Sequence, residues 1–290
     1  MALKAGAIRF NTDSSQLEMY DGGKWTGIEA TSPDLLTGGT RAVIAGGKLT
    51  HPARQDVIQY VNLNTTGNAV DFGDVLNASS GFFTAASRTR GIYAGAYTPG
   101  TYTNSIEFIT IASTGNGSDF GNLTGRTGQA GRGNANSTTR AIIALAGNDG
   151  TSNVLDFVTI ATRGNAEQFG SLRSYKNGEP CLTSNSIRGI AAGGHDGSTT
   201  TDDITFITIA TKGDGTDFGN LSNKCNQLGG ASSSIRAVFC GNLAPAGGIG
   251  NVMEFVTIAT LGNSTDFGDL TNKRAQVGGC NSNSHGGLAQ

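Results

Sequence analysis

Short runs of alternating apolar and polar residues fill this chain, separated by Gly, Asn, Ser and Thr. In the run from Val154 to Ala161, Val154, Val158 and Ile160 fall on one face. Leu155, Phe157 and Ala161 fall on the other. A period of two predicts a β-strand, and a strand apolar on both faces has to be covered on both. No segment sustains a period near 3.6 residues, so helix is expected to be almost absent.

The run recurs. Its first aromatic stands at Tyr60, Phe108, Phe157, Phe206 and Phe255, at spacings of 48, 49, 49 and 49. A second aromatic stands at Phe72, Phe120, Phe169, Phe218 and Phe267 with the same spacings. An upstream Arg stands at Arg41, Arg90, Arg140, Arg188 and Arg236, at 49, 50, 48 and 48. Three columns sharing one period mark a repeat architecture, whose thin units bury their faces only by stacking on neighbours. Each repeat holds four strand candidates: the Arg strand closing on Gly, the long aromatic strand, the Asp-Phe-Gly strand and a weak Gly/Ser-rich strand. Gly67, Gly115, Gly164, Gly213 and Gly262 follow the long strand, where a tight turn is expected to need positive φ. The pairs Gly46-Gly47 and Gly193-Gly194 are expected to let backbones crowd near a narrowing axis.

The chain ends extend the pattern. Ala7 to Asn11, Gln16 to Tyr20 and Lys24 to Ile28 read as strands, with Asp21-Gly22-Gly23 a hairpin turn and Pro33 a break. Lys273 to Gly279 resembles the weak strand and Ser284 to Ala289 the Arg strand, with His285 lying 49 after Arg236. Two strands of a sixth unit are thus present, and residues 1–37 are expected to supply the rest, with Trp25 in the column of Phe72. The expected fold is an all-β propeller of four-stranded antiparallel blades. It is one domain over 1–290, with six blades closed by the two termini. The alternative is five blades, with the N-terminal strands as a separate attachment hairpin.

A strand ending in a Gly pair, a variable loop, a strand with a central aromatic and a second aromatic shortly before a Leu resemble the kelch repeat. That resemblance covers residues 38–290 and implies a β-propeller. The departure is the second aromatic, which is Phe in five repeats where kelch units usually carry Trp.

Composition narrows the function. Lys and Arg number 20 against 22 Asp and Glu, and charged residues are 14 % of the chain. No basic tract grips phosphates, so nucleic acid is not expected as a partner. No apolar run approaches the ~18–20 residues of a membrane span, and the first residues lack a hydrophobic signal core, so synthesis in a cytoplasm without membrane insertion is expected. The 45 glycines suit many strands joined by tight turns. Cys181, Cys225, Cys240 and Cys280 form no C-x-x-C pair and are expected to be thiols filling small gaps, the alternative being a Cys225–Cys240 bridge across a hairpin.

The Asp-Phe-Gly triplet (Asp71, Asp119, Asp217 and Asp266, with Gln168 the exception) recurs with the repeat and is expected to be structural. The Arg column suggests either a ring of anion-binding groups or bonds to backbone carbonyls within and between blades; the second is the expectation. His51, His195 and His285 lie in different phases, and no paired-carboxylate or triad spacing stands out, so neither catalytic residues, a metal nor a cofactor is expected. Recognition is expected in the loops that differ between repeats: Leu49 to Gln55, Tyr97 to Asn104, Asn148 to Asn153, His195 to Asp202 and Asn242 to Asn251. There His51, Tyr97, Tyr102, His195 and Asp196 are candidates to stack on or bond sugars.

Gly6-Ala7-Ile8-Arg9-Phe10-Asn11-Thr12-Asp13, followed by Leu17 to Trp25, is similar to a segment common in tailed-phage virion proteins such as fibres and appendages. The resemblance implies a non-enzymatic virion protein on tail or capsid that binds another virion protein or a host surface glycan. A soluble lectin-like module and a glycan-processing propeller enzyme are the alternatives.

Overall fold

A computed structural model describes residues 4–11, 16–27, 40–48, 53–127, 132–133, 135–145, 152–173, 180–195, 199–245 and 247–275. Among them every regular element is a strand. The chain divides into two compact units, Met1–Leu36 and Thr37–Gln290.

In the first unit, β1 (Ile8–Asn11), β2 (Gln16–Tyr20) and β3 (Trp25–Gly27) form an antiparallel meander. Asp21 closes its second hairpin by accepting the Gly23 and Lys24 amides, each at 2.8 Å, which holds its carboxyl below the usual range. Arg9 stacks 4.2 Å from the Trp25 ring and pairs with Glu18.

The second unit contains the five repeats. Repeat one holds β4 (Arg41–Lys48), β5 (Arg54–Asn62) and β6 (Val70–Asp74), a sheet of three described strands where four are expected. Repeat two holds β7 (Phe83–Ala86), β8 (Arg90–Thr98), β9 (Thr101–Thr110) and β10 (Ser118–Thr127). β11 (Arg132–Gly133) precedes repeat three, which comprises β12 (Ala135–Asn136), β13 (Arg140–Ala144), β14 (Val154–Thr159) and β15 (Glu167–Ser171). Repeat four comprises β16 (Cys181–Ser184), β17 (Arg188–Ala192), β18 (Asp203–Thr208) and β19 (Thr216–Asn220). Repeat five comprises β20 (Gly229–Ser232), β21 (Arg236–Leu243), β22 (Ile249–Thr257) and β23 (Thr265–Asp269). Strands within each repeat pair antiparallel in chain order. The departure is β11, which adds to β16 in parallel and makes that sheet five-stranded.

The aromatic columns meet inside each repeat. First and second aromatics pack edge-to-face, with centroids 5.9–6.2 Å apart in all five. The Asp-Phe-Gly strand brings the second ring inward by a bulge. Asp119 pairs with Glu107 and Gly121 with Ile106, so Phe120 is the extra residue; the other four repeats skip at the same place. A bulge re-aims a side chain without ending the ladder. Phe72, Phe120, Phe169 and Phe218 are 2–3 % exposed as a result.

The Gly after that Phe is where repeats touch. A Cβ on Gly170 would lie 2.2 Å from the Gly213 carbonyl oxygen; on Gly121, 2.3 Å from that of Gly164; on Gly219, 2.3 Å from that of Gly262. The close approach lets the turn after each third strand hydrogen-bond to the fourth strand of the repeat before. The amides of Gly115, Gly164, Gly213 and Gly262 donate to Phe72, Phe120, Phe169 and Phe218 at 2.7–3.0 Å. Beside each, Asn116, Asn165, Asp214 or Asn263 accepts the amide of Asp74, Asn122, Ser171 or Asn220 through Oδ1 at 2.9–3.0 Å. A third bond follows two residues on, as from Gly117 to Asp74 at 2.7 Å.

Positive φ is not what the turn glycines share, because Gly67 and Gly213 lie outside that region. It is shared by the glycine closing the Arg strand. Gly46, Gly95, Gly193 and Gly241 sit at φ +59 to +65, and a Cβ on Gly46, Gly95 or Gly193 would meet the carbonyl oxygen of Ser79, Thr127 or Cys225 at 2.5–2.6 Å. No disulfide joins Cys225 to Cys240; Cys225 is buried, which raises its thiol to about 12. Cys280 and the expected strands beyond Ala275 lie outside the described residues.

Gly170 and Gly213 face each other across one junction, neither at positive φ, and a Cβ on Gly213 would meet nothing within 4 Å. Gly170→Ala is therefore expected to destabilise by ~2–4 kcal/mol and Gly213→Ala by under ~1 kcal/mol, read by thermal and denaturant unfolding.

Candidate functional site

The loop-borne candidates gather at one hairpin. β8 and β9 join through Pro99-Gly100, with Gly100 at φ +98, as a turn with Pro first and Gly second requires. The Tyr97 and Tyr102 rings below this tip pack edge-to-face at 5.3 Å, and the Arg54 guanidinium of repeat one lies 5.0 Å from the Tyr97 ring. Tyr97 is anchored by reciprocal backbone bonds with Ser80, at 2.8 and 3.1 Å. The result is a half-buried cluster of two phenol rings and one guanidinium, a set suited to sugar stacking and to bonding of hydroxyl or carboxylate groups. Arg54 went unnoticed in the sequence because it lies 43 residues before Tyr97 and outside the repeat columns.

His195 lies on another loop, in an isolated bridge with Thr200. His51 and Asp196 lie outside the described residues. Among the described residues no group of His, Cys, Asp and Glu is arranged to hold a metal.

The Arg column spans the junctions. Each guanidinium stacks 4.6–4.9 Å over the first aromatic of its own repeat. Four then donate to carbonyls ending the third strand of the next repeat, at 2.7–3.1 Å. Arg41 reaches Ile111, Arg90 reaches Ile160 and Ala161, Arg140 reaches Ile209 and Ala210, and Arg188 reaches Ile258 and Ala259. In the Asp-Phe-Gly column, Asp217 pairs with Arg173 of the repeat before, and Asp266 accepts the Gly268 amide at 3.2 Å.

Buried carboxylates form a column the sequence reading missed. They precede the first aromatic: Glu107, Asp156 and Glu254, 2 %, 0 % and 9 % exposed. Each accepts from the preceding repeat. The Leu76 amide donates to Glu107 at 2.9 Å, the Thr124 amide and hydroxyl to Asp156 at 2.7 Å, and the Ser222 amide to Glu254 at 3.0 Å. Repeat four carries Thr205 there, bonded to Asp203, while Arg173 stands where Leu76, Thr124 and Ser222 stand and pairs with Asp203. The site is thus rebuilt with a different charge arrangement.

Burial raises the carboxyls of Glu107 and Asp156 against the lowering effect of those donors; the Asp119 charge adds to the rise at Glu107. A carboxyl raised on folding adds stability below its unfolded value, 4.5 for Glu107 and 3.8 for Asp156, that is lost as pH rises through the folded value. No family model matches the chain, and no curated protein is significantly similar to it.

Glu107→Gln keeps an acceptor for the Leu76 amide and removes the desolvated charge. It is expected to be neutral or stabilising by up to ~1 kcal/mol at pH 8 and to flatten the fall in stability from pH 5 to 8. Glu107→Ala orphans that amide and is expected to cost ~1–3 kcal/mol. Denaturant unfolding across that pH range checks both.

Proposed function

We propose that this protein is a non-enzymatic structural or adhesion component of a tailed-phage virion, made in the host cytoplasm and displayed on tail or capsid. In this reading the repeats form a kelch-like propeller of six units, the sixth built from the two chain termini. The N-terminal segment supports the phage origin through its likeness to fibre and appendage proteins. The observation that carries the binding role is the division of labour between columns and loops. Arg, carboxylate, Gly and Asn columns are engaged between repeats, whereas the loops vary, and one bears the Tyr97–Tyr102–Arg54 cluster. A rigid body with variable loops suits shape-based recognition of another virion protein or a host surface glycan.

The lectin-like reading is favoured by the same cluster, whose rings and guanidinium match a sugar with an acidic or hydroxyl-rich edge. The enzyme reading finds less support: Glu107, Asp156 and Glu254 are engaged by junction donors rather than gathered at a loop end.

Cryo-microscopy of a particle containing the protein, with a glycan array on the purified chain, tests the reading. Ordered contacts to tail or capsid are expected. If a glycan is bound, Tyr97→Ala and Tyr102→Ala should each weaken binding by about tenfold or more while leaving the melting temperature within a few degrees. A purified chain that turns over a glycan, or that is found in no particle, would contradict it.

A further inference from the structure

The end of each sheet away from the variable loops is built from two turns. In repeat five the strand register puts Arg236 against Thr257 at this end and Leu243 against Ile249 at the other. The residue before each Arg accepts the amide just past the third strand: Thr89 from Ile111, Thr139 from Ile160, Ile187 from Ile209 and Ile235 from Ile258, at 2.8–2.9 Å. In repeats one to three that residue is Thr40, Thr89 or Thr139, and each hydroxyl has a local partner in Asn62, Ser87 or Ser137. In repeats four and five it is Ile187 and Ile235, 63 % and 64 % exposed. The residue before the turn glycine runs Thr66, Thr114, Arg163, Lys212 and Leu261, and Leu261 is 60 % exposed.

The three departures fall together. Asn185 Nδ2 donates to the Ser234 carbonyl at 3.0 Å, which sets the turns of Ile187 and Ile235 side by side. Arg188, next to Ile187, donates to the Ile258 and Ala259 carbonyls at 2.9 and 3.1 Å, where the turn that carries Leu261 begins. Thr makes the same backbone bond in the earlier repeats, so the aliphatic side chains add nothing to the repeat itself. Exposed aliphatic groups gathered at one place, rather than scattered singly, mark an interaction surface. In segments 185–188, 233–236 and 257–265 the only charged residues are Arg188 and Arg236. Both guanidiniums are held over rings, 4.8 Å from Phe206 and 4.6 Å from Phe255. Arg188 uses Nη1 for its carbonyl bonds, while Arg236 donates to no carbonyl among the described residues. An arginine has five N–H donors, so both keep donors for a carboxylate.

We propose that this end of repeats four and five is a docking surface for a short acidic segment of another protein. An aliphatic or aromatic side chain of that segment sits among Ile187, Ile235 and Leu261, and an Asp or Glu beside it pairs with Arg236. Charge complementarity sets the sign of the partner, because the apolar groups are flanked by arginines alone. Area sets its size: three side chains expose a patch well short of the ~800 Å² per partner that a stable dimer buries, which suits a short segment better than a second copy. The stacked guanidiniums are fixed in place, which suits one positioned carboxylate better than the diffuse charge of a lipid surface. The surface lies at the other end of the strands from the Tyr97–Tyr102–Arg54 cluster, and the proposal rests neither on a glycan nor on a particle.

Selection from a display library of random short peptides on the purified full chain tests it, with an Ile187→Thr, Ile235→Thr, Leu261→Thr variant as the counter-target. Thr stands at the first two places in repeats one to three and at the third in repeats one and two, so the variant is expected to melt within a few degrees of the parent. Peptides selected on the parent are expected to carry an apolar residue beside Asp or Glu and to bind the variant at least about tenfold more weakly. They should also lose about threefold on Arg236→Gln, or when their own acids become Asn and Gln. Ile235→Thr alone should act in the same direction. An absence of binders, peptides that bind parent and variant equally, or affinity indifferent to Arg236→Gln would each overturn the proposal. Self-association in sedimentation that the variant loses would assign the patch to a second copy, and binding to anionic phospholipid vesicles that the variant loses would assign it to a membrane; either would overturn it as well.

Discussion

Contact of backbone with backbone at each junction sets the terms for the rest of the second unit. The fourth strand of one repeat and the turn of the next come so close that a single Cβ on Gly121, Gly170 or Gly219 would fall 2.2–2.3 Å from a carbonyl oxygen. Three hydrogen bonds per junction depend on that approach, and so does the seating of the second aromatic. Side chains then reinforce it: an Arg passes over its own aromatic to the next repeat, and a buried carboxylate answers from the other side, replaced between repeats three and four by an Arg173–Asp203 pair. Stability in such an array is close to a sum over contacts between neighbouring repeats; the exception is β11, which pairs with β16 of repeat four and also lies against β20 of repeat five.

The same arrangement explains how polar groups are tolerated inside an apolar stack. A buried carboxylate is costly unless its oxygens are bonded. Here it bonds backbone amides outside the strand ladder: Leu76 and Ser222 just past the fourth strand, and Thr124 where β10 skips its register between Asn122 and Thr127. The junction thus resolves two costs together, and a change on either side leaves the other unsatisfied.

Much of this architecture was legible in the residues. Three columns at one period, and a strand apolar on both faces, required stacked β units. The bulge was not legible, because one extra residue at Phe120 is invisible in a spacing that every repeat shares. Nor were the junction partners, which lie about 43 residues apart and show no pattern until the strands are paired. The carboxylate column was hidden by its own variation: Gln59, Glu107, Asp156, Thr205 and Glu254 share a place but not a chemistry. At the loops, Tyr97 and Tyr102 were named from type and position, while their neighbour Arg54 became visible only when the strands of repeat one were set beside those of repeat two.

The central claim is that the repeats are held by bonds from each turn to the strand before it. Residue-resolved amide exchange at Gly115, Gly164, Gly213 and Gly262 tests it most directly, since a turn amide in an isolated sheet would face water. The account predicts protection of these four amides close to that of the central strands and lost only in global unfolding. Exchange at the rate of an open turn, with the strands themselves still protected, would contradict it.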